Sequence, residues 1–213
     1  MTNEDYQKIF HEIKNNITFI SSSLQLVEKA HPEIEAFPYW KDSMQEVNAL
    51  KNMLIDLSSA RLCDDLDLQK LSPEIILPEL IHSCMTLFDS DDFCCGMEFE
   101  SSLPKILIDP HRLKRVLFNL IKNSFEAMDG SGKIQFAFRK ENTFLKISLT
   151  DNGGGIPKEY LPKLFTPFET TKQSGTGLGL LIARQIIEAH GGHLTVDSLP
   201  GVGCTFSIYL PFT

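Results

Sequence analysis

From Asn3 to about Asp67 the apolar residues step along the chain by threes and fours. A chain patterned this way buries its apolar side as a helix. Ile9, Ile13, Ile17, Ile20, Leu24 and Val27 form one stripe, and Trp40, Met44, Val47, Leu50, Leu54 and Leu57 form a second. His31-Pro32 and Phe37-Pro38 punctuate the chain between them, because the residue before a proline is driven out of helical geometry. Two long amphipathic helices with a short connection make an antiparallel hairpin. A lone hairpin cannot cover both stripes, whereas two hairpins paired as a four-helix bundle can. The pattern therefore predicts a homodimer.

Around Leu68–Pro73 the period changes, and short β-rich runs begin to alternate with helices. Strands are expected at 97–101, 106–108, 133–140, 143–150, 193–198 and 204–210. Helices are expected at 78–89, 110–128 and 177–190. The fold class is α+β: a helical hairpin followed by an α/β sandwich, a mixed sheet with helices on one face. The expected domains are 1–67 and 74–213, with 68–73 as the linker and hinge. Glycine and proline concentrate between 151 and 179, which predicts a long irregular loop of the functional kind.

A net charge of -8 argues against nucleic acid or an anionic membrane as partner. No apolar run approaches the ~20 residues of a membrane span, and the start MTNEDYQKIF lacks the pattern of a signal peptide. A cytoplasmic location without membrane insertion is expected. The five cysteines form no CxxC pair, so neither a disulfide framework nor a zinc site is indicated.

On the first helix His11 lies opposite the apolar stripe, sharing the outward face with Asn15, Thr18 and Ser22. An exposed imidazole is a nucleophile when a carboxylate holds its other nitrogen. Glu12 is the nearest candidate to orient it or take its proton. Asn15, one turn on, is placed to position a water.

In the second half, Asn119 and Asn123 are spaced i, i+4 on the polar face of a helix, with Arg112, Arg115 and Glu126. Two amides there can ligate Mg²⁺ beside a nucleotide's phosphates. Asp151 ends an apolar strand and precedes Asn152-Gly153-Gly154-Gly155. A carboxylate there can accept from an exocyclic amine such as adenine N6, with the glycines letting backbone approach the ring. In the following loop Phe165 and Phe168 can pin the chain, and Lys172 can reach phosphates. Gly175-Thr176-Gly177-Leu178-Gly179 opens a helix, and glycine amides at a helix N-terminus make an anion site. A dinucleotide fold is rejected because these glycines follow a loop, not a strand.

The ordered segments DPHRLKRVLFNLIKNSFEAM, DNGGGIP, LFTPFETTK and SGTGLGLLIARQIIEAHGG resemble the N, G1, F and G2 boxes of sensor histidine kinases. FHEIKNN resembles their H box. The resemblance spans nearly the whole chain. It implies an ATP-binding sandwich of the histidine kinase, gyrase and heat-shock chaperone type, with ATP and Mg²⁺ as cofactors. It implies His11 as phosphoacceptor with Glu12 assisting, Asn123 as the Mg²⁺ ligand and Asn119 next to the phosphates. Asp151, Gly153 and Gly155 match the adenine pocket. Lys172, Gly175, Thr176, Gly177, Leu178 and Gly179 match the lid end and phosphate loop. The partner implied is the receiver domain of a response regulator, whose aspartate takes the phosphoryl group. Glu12-x-x-Asn15 resembles the motif of members that also dephosphorylate their regulator.

Three departures stand out. Asn16 occupies a position where the H box usually carries proline. Glu126-Ala127 gives the N box an acidic end, as in nitrogen-regulation-type members. Ten residues precede His11, so the expectation is either an excised core or a signal that arrives through a separate sensor protein or domain. The alternative is a degenerate-kinase scaffold or a histidine phosphotransfer protein without ATP turnover.

Overall fold

A computed structural model describes the backbone of residues 3–60, 66–88, 90–170 and 176–212, and within these the side chains of all but 3–11, 52 and 55–60. The chain divides into two compact units: Met1–Leu62 with Pro167–Leu178, and Cys63–Thr166 with Gly179–Thr213.

In the first unit, α1 spans Asn3–Ala30 and α2 spans Trp40–Ala60. Pro32 stops α1 and opens a short 3-10 turn, Pro32–Ala36, since it brings no N–H to continue the ladder. The Trp40 indole N–H donates to Glu28 Oε1 at 3.1 Å, tying the start of α2 to the last turn of α1. Among the described side chains of the hairpin only Ser21 is buried. Ile13, Ile20 and Val27, each two turns apart, stay 42%, 46% and 39% exposed along one line of α1. Leu50 of α2 is 46% exposed. Asn15, Thr18 and Ser22 are exposed, as expected from the helical wheel.

The second unit is built on a five-stranded sheet in the order β2-β4-β5-β7-β6. Its strands are β2 (Phe93–Phe99), β4 (Gly132–Glu141), β5 (Phe144–Asp151), β6 (His193–Leu199) and β7 (Gly203–Pro211). β2 and β4 are parallel, and the other neighbours are antiparallel. Alternate residues Phe136, Phe138, Leu145, Ile147, Phe206 and Ile208 are buried. They meet the apolar stripes of α3 (Pro73–Met85), α4 (Pro110–Ala127) and α5 (Gly179–Ala189). The other face carries Lys146, Ser148, Thr150, Thr205 and Tyr209, a solvated alternation typical of an antiparallel sheet. The fold class is α+β with a mixed sheet, as the patterning requires.

Several expected element boundaries move, among them the end of α3, which falls at Met85 rather than at 89. Residues 68–73, read as a linker, hold the short strand β1 (Gln69–Leu71) and the first residue of α3. β1 pairs antiparallel with β3 (Ile106–Ile108) in a separate two-stranded sheet. Gln69-Lys70-Leu71 carries one apolar residue in three, too weak a signal to announce a strand. Helix α3 begins at Pro73 rather than Pro78. Proline is tolerated at the first helical position, and Ser72-Pro73 supplies that start. Pro78 then sits inside the helix, held there by burial of Leu77, Leu80, Ile81 and Cys84 around it. Strand β2 begins at Phe93, four residues ahead of the expected start, because it pairs with β4 from Phe93↔Gly132 to Phe99↔Phe138.

Candidate functional site

Helix α4 places the polar residues of the site, and its own placement starts at its N-cap. Asp109 Oδ1 accepts from the backbone N–H groups of His111 and Arg112, both at 3.0 Å. Such a cap satisfies two of the four donors that a helix start leaves unpaired. Asp109 Oδ2 accepts from Asp67 N at 3.1 Å. The Asp109 N–H donates to buried His190 Nε2 at 3.0 Å, and His190 Nδ1 lies 2.7 Å from the Ile186 carbonyl. That ring is therefore neutral, with its proton on Nδ1, because Nε2 must accept and a carbonyl can only accept. These bonds fasten the start of α4 to the end of α5.

The two helices consequently run antiparallel. From Asp109 to Asn119 α4 rises about 15 Å, close to the length of α5 at ~1.5 Å per residue. The start of α5 thus arrives beside Asn119, whose Nδ2 donates to the Gly179 carbonyl at 3.0 Å. Asn123 lies one turn further, half-buried like Arg112, Arg115 and Glu126 on the same face. Lys122 Nζ pairs with Glu126 Oε1 at 3.7 Å.

At the end of β5, Asp151 is 5% exposed. Its Oδ1 accepts from Gly153 N at 3.0 Å and from Cys204 N at 3.1 Å. Its Oδ2 accepts from Ser124 Oγ of α4 at 2.9 Å. Three donors from three segments aim the carboxylate. Beyond it, Gly155 has φ +69 and a Cβ there would stand 2.5 Å from the Leu199 carbonyl oxygen. Both the left-handed backbone and the contact exclude a side chain. Ser198 Oγ, 2.7 Å from Ile156 N, ties the same turn to β6. The buried Cys204 thiol is pushed up to about 12, first by burial and then by the Asp151 charge.

Of the expected loop residues, Phe165 is pinned by the Arg184 guanidinium, 5.6 Å from its ring centroid, whereas Phe168 is 59% exposed. Thr176, Gly177 and Leu178 fall in the stretch that groups with the hairpin unit. Gly177 has φ +65 and a Cβ there would meet Phe168 backbone at 2.6 Å. The Leu178 N–H donates to Thr176 Oγ1 at 3.3 Å. Lys172 and Gly175 lie outside the described residues, as does the side chain of His11. Glu12 and Asn15 are exposed on α1.

The second unit therefore brings together Asn119, Gly179, Asp151, Gly153 and Gly155 with the face that carries Asn123. Sequence reasoning missed Ser124, Asp109, His190 and Ser198. Ser124 had a signal: a hydroxyl in the register of Leu113, Val116, Leu117, Leu120 and Ile121, where the stripe calls for an apolar residue.

Residues 108–213 match the family described as histidine kinase-, DNA gyrase B-, and HSP90-like ATPase. The chain is 34% identical over 208 residues to the sensor histidine kinase ZraS of Escherichia coli O157:H7, covering 95% of this chain and 44% of ZraS. It is 29% identical over 212 residues to the sensory histidine kinase/phosphatase NtrB of the same organism, covering 94% of this chain and 60% of NtrB. The chain thus spans about half the length of these relatives. The catalytic domain of the histidine kinase ThkA superposes with a TM-score of 0.59 at 32% identity, over 68% of this chain and 96% of that one. ThkA in complex with the response regulator protein TrrA superposes with a TM-score of 0.70 at 25% identity, over 99% of this chain and 62% of that one. The match over residues 108–213 takes in both the carboxylate at the glycine turn and the helix start met by Asn119, and the chain belongs to the histidine kinase family.

Proposed function

We propose that this chain is the catalytic core of a sensor histidine kinase, which phosphorylates His11 from ATP and passes the phosphoryl group to an aspartate of a response regulator. The observation that carries the reading is Asp151: a buried carboxylate with three protein donors and acceptor capacity remaining on Oδ2. That is the complement of a purine amine. Asn119 and the start of α5, joined through the Gly179 carbonyl, are assigned to the phosphates in this reading. Residues 1–67 serve as the dimerisation and phosphoacceptor hairpin, 68–73 as the joint, and 74–213 as the ATP-binding sandwich. The line of half-exposed Ile13, Ile20 and Val27 supports a homodimer. No helix among the described residues is long and apolar enough to cross a membrane, and a cytoplasmic location fits the chemistry.

Gly153 and Gly155 give the ring its close approach. Lys172 and the Gly175–Gly179 segment serve the phosphates, through a cation and through backbone N–H groups. No cluster of three or more His, Cys, Asp or Glu suited to a metal exists among the described residues. Mg²⁺ would be held by amide oxygen of Asn123 together with the phosphates, which suits a hard ion that keeps few protein ligands. When bound it neutralises charge on the phosphates.

The first step forms a bond from a His11 ring nitrogen to the γ-phosphorus, breaks the bond to the β-phosphate oxygen and releases ADP. Glu12 takes the ring proton. In the second step an aspartate oxygen of the receiver attacks the same phosphorus, the N–P bond breaks and the imidazole regains a proton. Positioning and charge complementarity supply most of the acceleration in such transfers. Asn15, exposed one turn from His11, orients water for dephosphorylating the regulator, in line with the kinase/phosphatase relative.

Incubation with γ-labelled ATP tests the reading. The chain should take up acid-labile label, His11→Ala should abolish it while ATP still binds, and Asp151→Asn should lose ATP binding. Label at the wild-type level in His11→Ala, or acid-stable label, would overturn it.

A further inference from the structure

Ser124 occupies the inner stripe of α4 and is 1% exposed. A buried serine in a helix ordinarily returns its hydroxyl to the carbonyl one turn back. Ser124 instead reaches Asp151 Oδ2 at 2.9 Å, 27 residues away in the chain. The carboxylate only accepts, so the serine donates.

The other oxygen explains why this bond is needed. Oδ1 takes both backbone donors, Gly153 N and Cys204 N. A carboxyl anchored through one oxygen can still pivot about that oxygen. The second oxygen must be held for the plane of the group to be set. Ser124 supplies that hold among the bonds found at Asp151. It fills one of the roughly two acceptor positions on Oδ2 and leaves the other in a fixed direction.

We propose that Ser124 is a positioning residue for purine selection. By setting the plane of the Asp151 carboxylate it directs the remaining acceptor site of Oδ2 at a 6-amino group, and so favours 6-aminopurine nucleotides over 6-oxo ones. A 6-oxo purine presents a carbonyl, which cannot donate and repels the carboxylate oxygen. This inference rests on the ATP reading of the site and adds the residue that sharpens its base selectivity.

The test compares the binding of ATP, ITP and purine riboside triphosphate, which lacks the 6-substituent, to the full chain. Wild type, Ser124→Ala and Ser124→Cys are used, the last keeping volume while weakening the donor. ATP affinity should fall about tenfold in both variants, the scale of one hydrogen bond to a charged group. Binding of ITP and of the purine riboside triphosphate should stay within about twofold, so the ATP/ITP ratio collapses. Ser124→Thr, which retains the hydroxyl, should restore the ratio. A purely structural role would lower thermal stability and weaken all three nucleotides together, and an unchanged ATP/ITP ratio in Ser124→Ala and Ser124→Cys overturns the proposal. Wild type that binds none of the three nucleotides overturns the ATP reading and this inference with it. Wild type that binds ATP while the variants keep its ratio overturns the inference alone.

Discussion

The hairpin and the sandwich solve the burial problem differently. In the sandwich, alternate strand residues and the stripes of α3, α4 and α5 close on one another, and side chains such as Phe136, Ile147, Leu117 and Ile186 are fully buried. In the hairpin, among the described side chains, the one buried residue is a serine, while Ile13, Ile20 and Leu50 stay more than 40% exposed. A sheet with helices across one face is complete within one chain. Two helices have two apolar stripes and only one mutual contact, so their remaining apolar surface asks for a second copy.

The sharpest way to break this contrast is to remove a closed-core side chain. Phe136→Ala should destabilise the sandwich by about 3–5 kcal/mol, the usual cost of deleting a buried aromatic. Thermal unfolding should show a lower midpoint for the sandwich, with the proposed self-association of the hairpin unchanged. A midpoint shift of under a degree would mean the core is not closed around that ring. A charge on the hairpin should do the reverse. If the proposed dimer covers this stripe, Ile20→Glu should weaken its self-association by about 2–3 kcal/mol, or some thirtyfold to a hundredfold in Kd, by placing a charge in a desolvated contact. The protomer's unfolding should move by less than about 0.5 kcal/mol, as at other exposed positions. Sedimentation at graded concentrations separates the two outcomes, and an unaltered dimer would remove the exposed stripe from the interface.

The smallest effect concerns protons. Burial raises the thiols of Cys84 and Cys95 to about 11 and that of Cys204 to about 12. An unfolded chain ionises these thiols near 8.5. The folded sandwich therefore holds more protons between these values, and its stability is full below about pH 8.5 and declines as pH rises through 11 to 12. At pH 8 iodoacetamide should modify exposed Cys94 well before buried Cys84 and Cys204, because the thiolate is the nucleophile. Mass spectrometry of early time points reads this order, and equal labelling of Cys94 and Cys204 would contradict the burial.

Much of this was legible in advance where the signal was local. The start of α4 at Pro110 matched its expected position, and its stripe ran long enough to place the helix within one residue of its end. Strands β4 and β5 showed clean alternation and were displaced by no more than a residue or so at either end. The misses have a common cause. β1 is three residues long and exists through β3. The start of β2 is set by its partner, and Pro78 is carried inside α3 by burial that no single segment reveals. Ser124 went unread on the apolar face of α4, because the group it serves lies on another element.

By itself the sequence determined the helical hairpin, the α/β second half, the faces of α4 and the chemistry available at Asp151 and the glycines, since periods of 3.6 and 2 and residue types are local properties. Only the tertiary structure decided the strand order, the parallel pairing of β2 with β4, and the carboxylate whose donors come from Ser124, Gly153 and Cys204. Those facts depend on which distant segments share a core, and that is settled by burial across the whole chain rather than within any stretch of it.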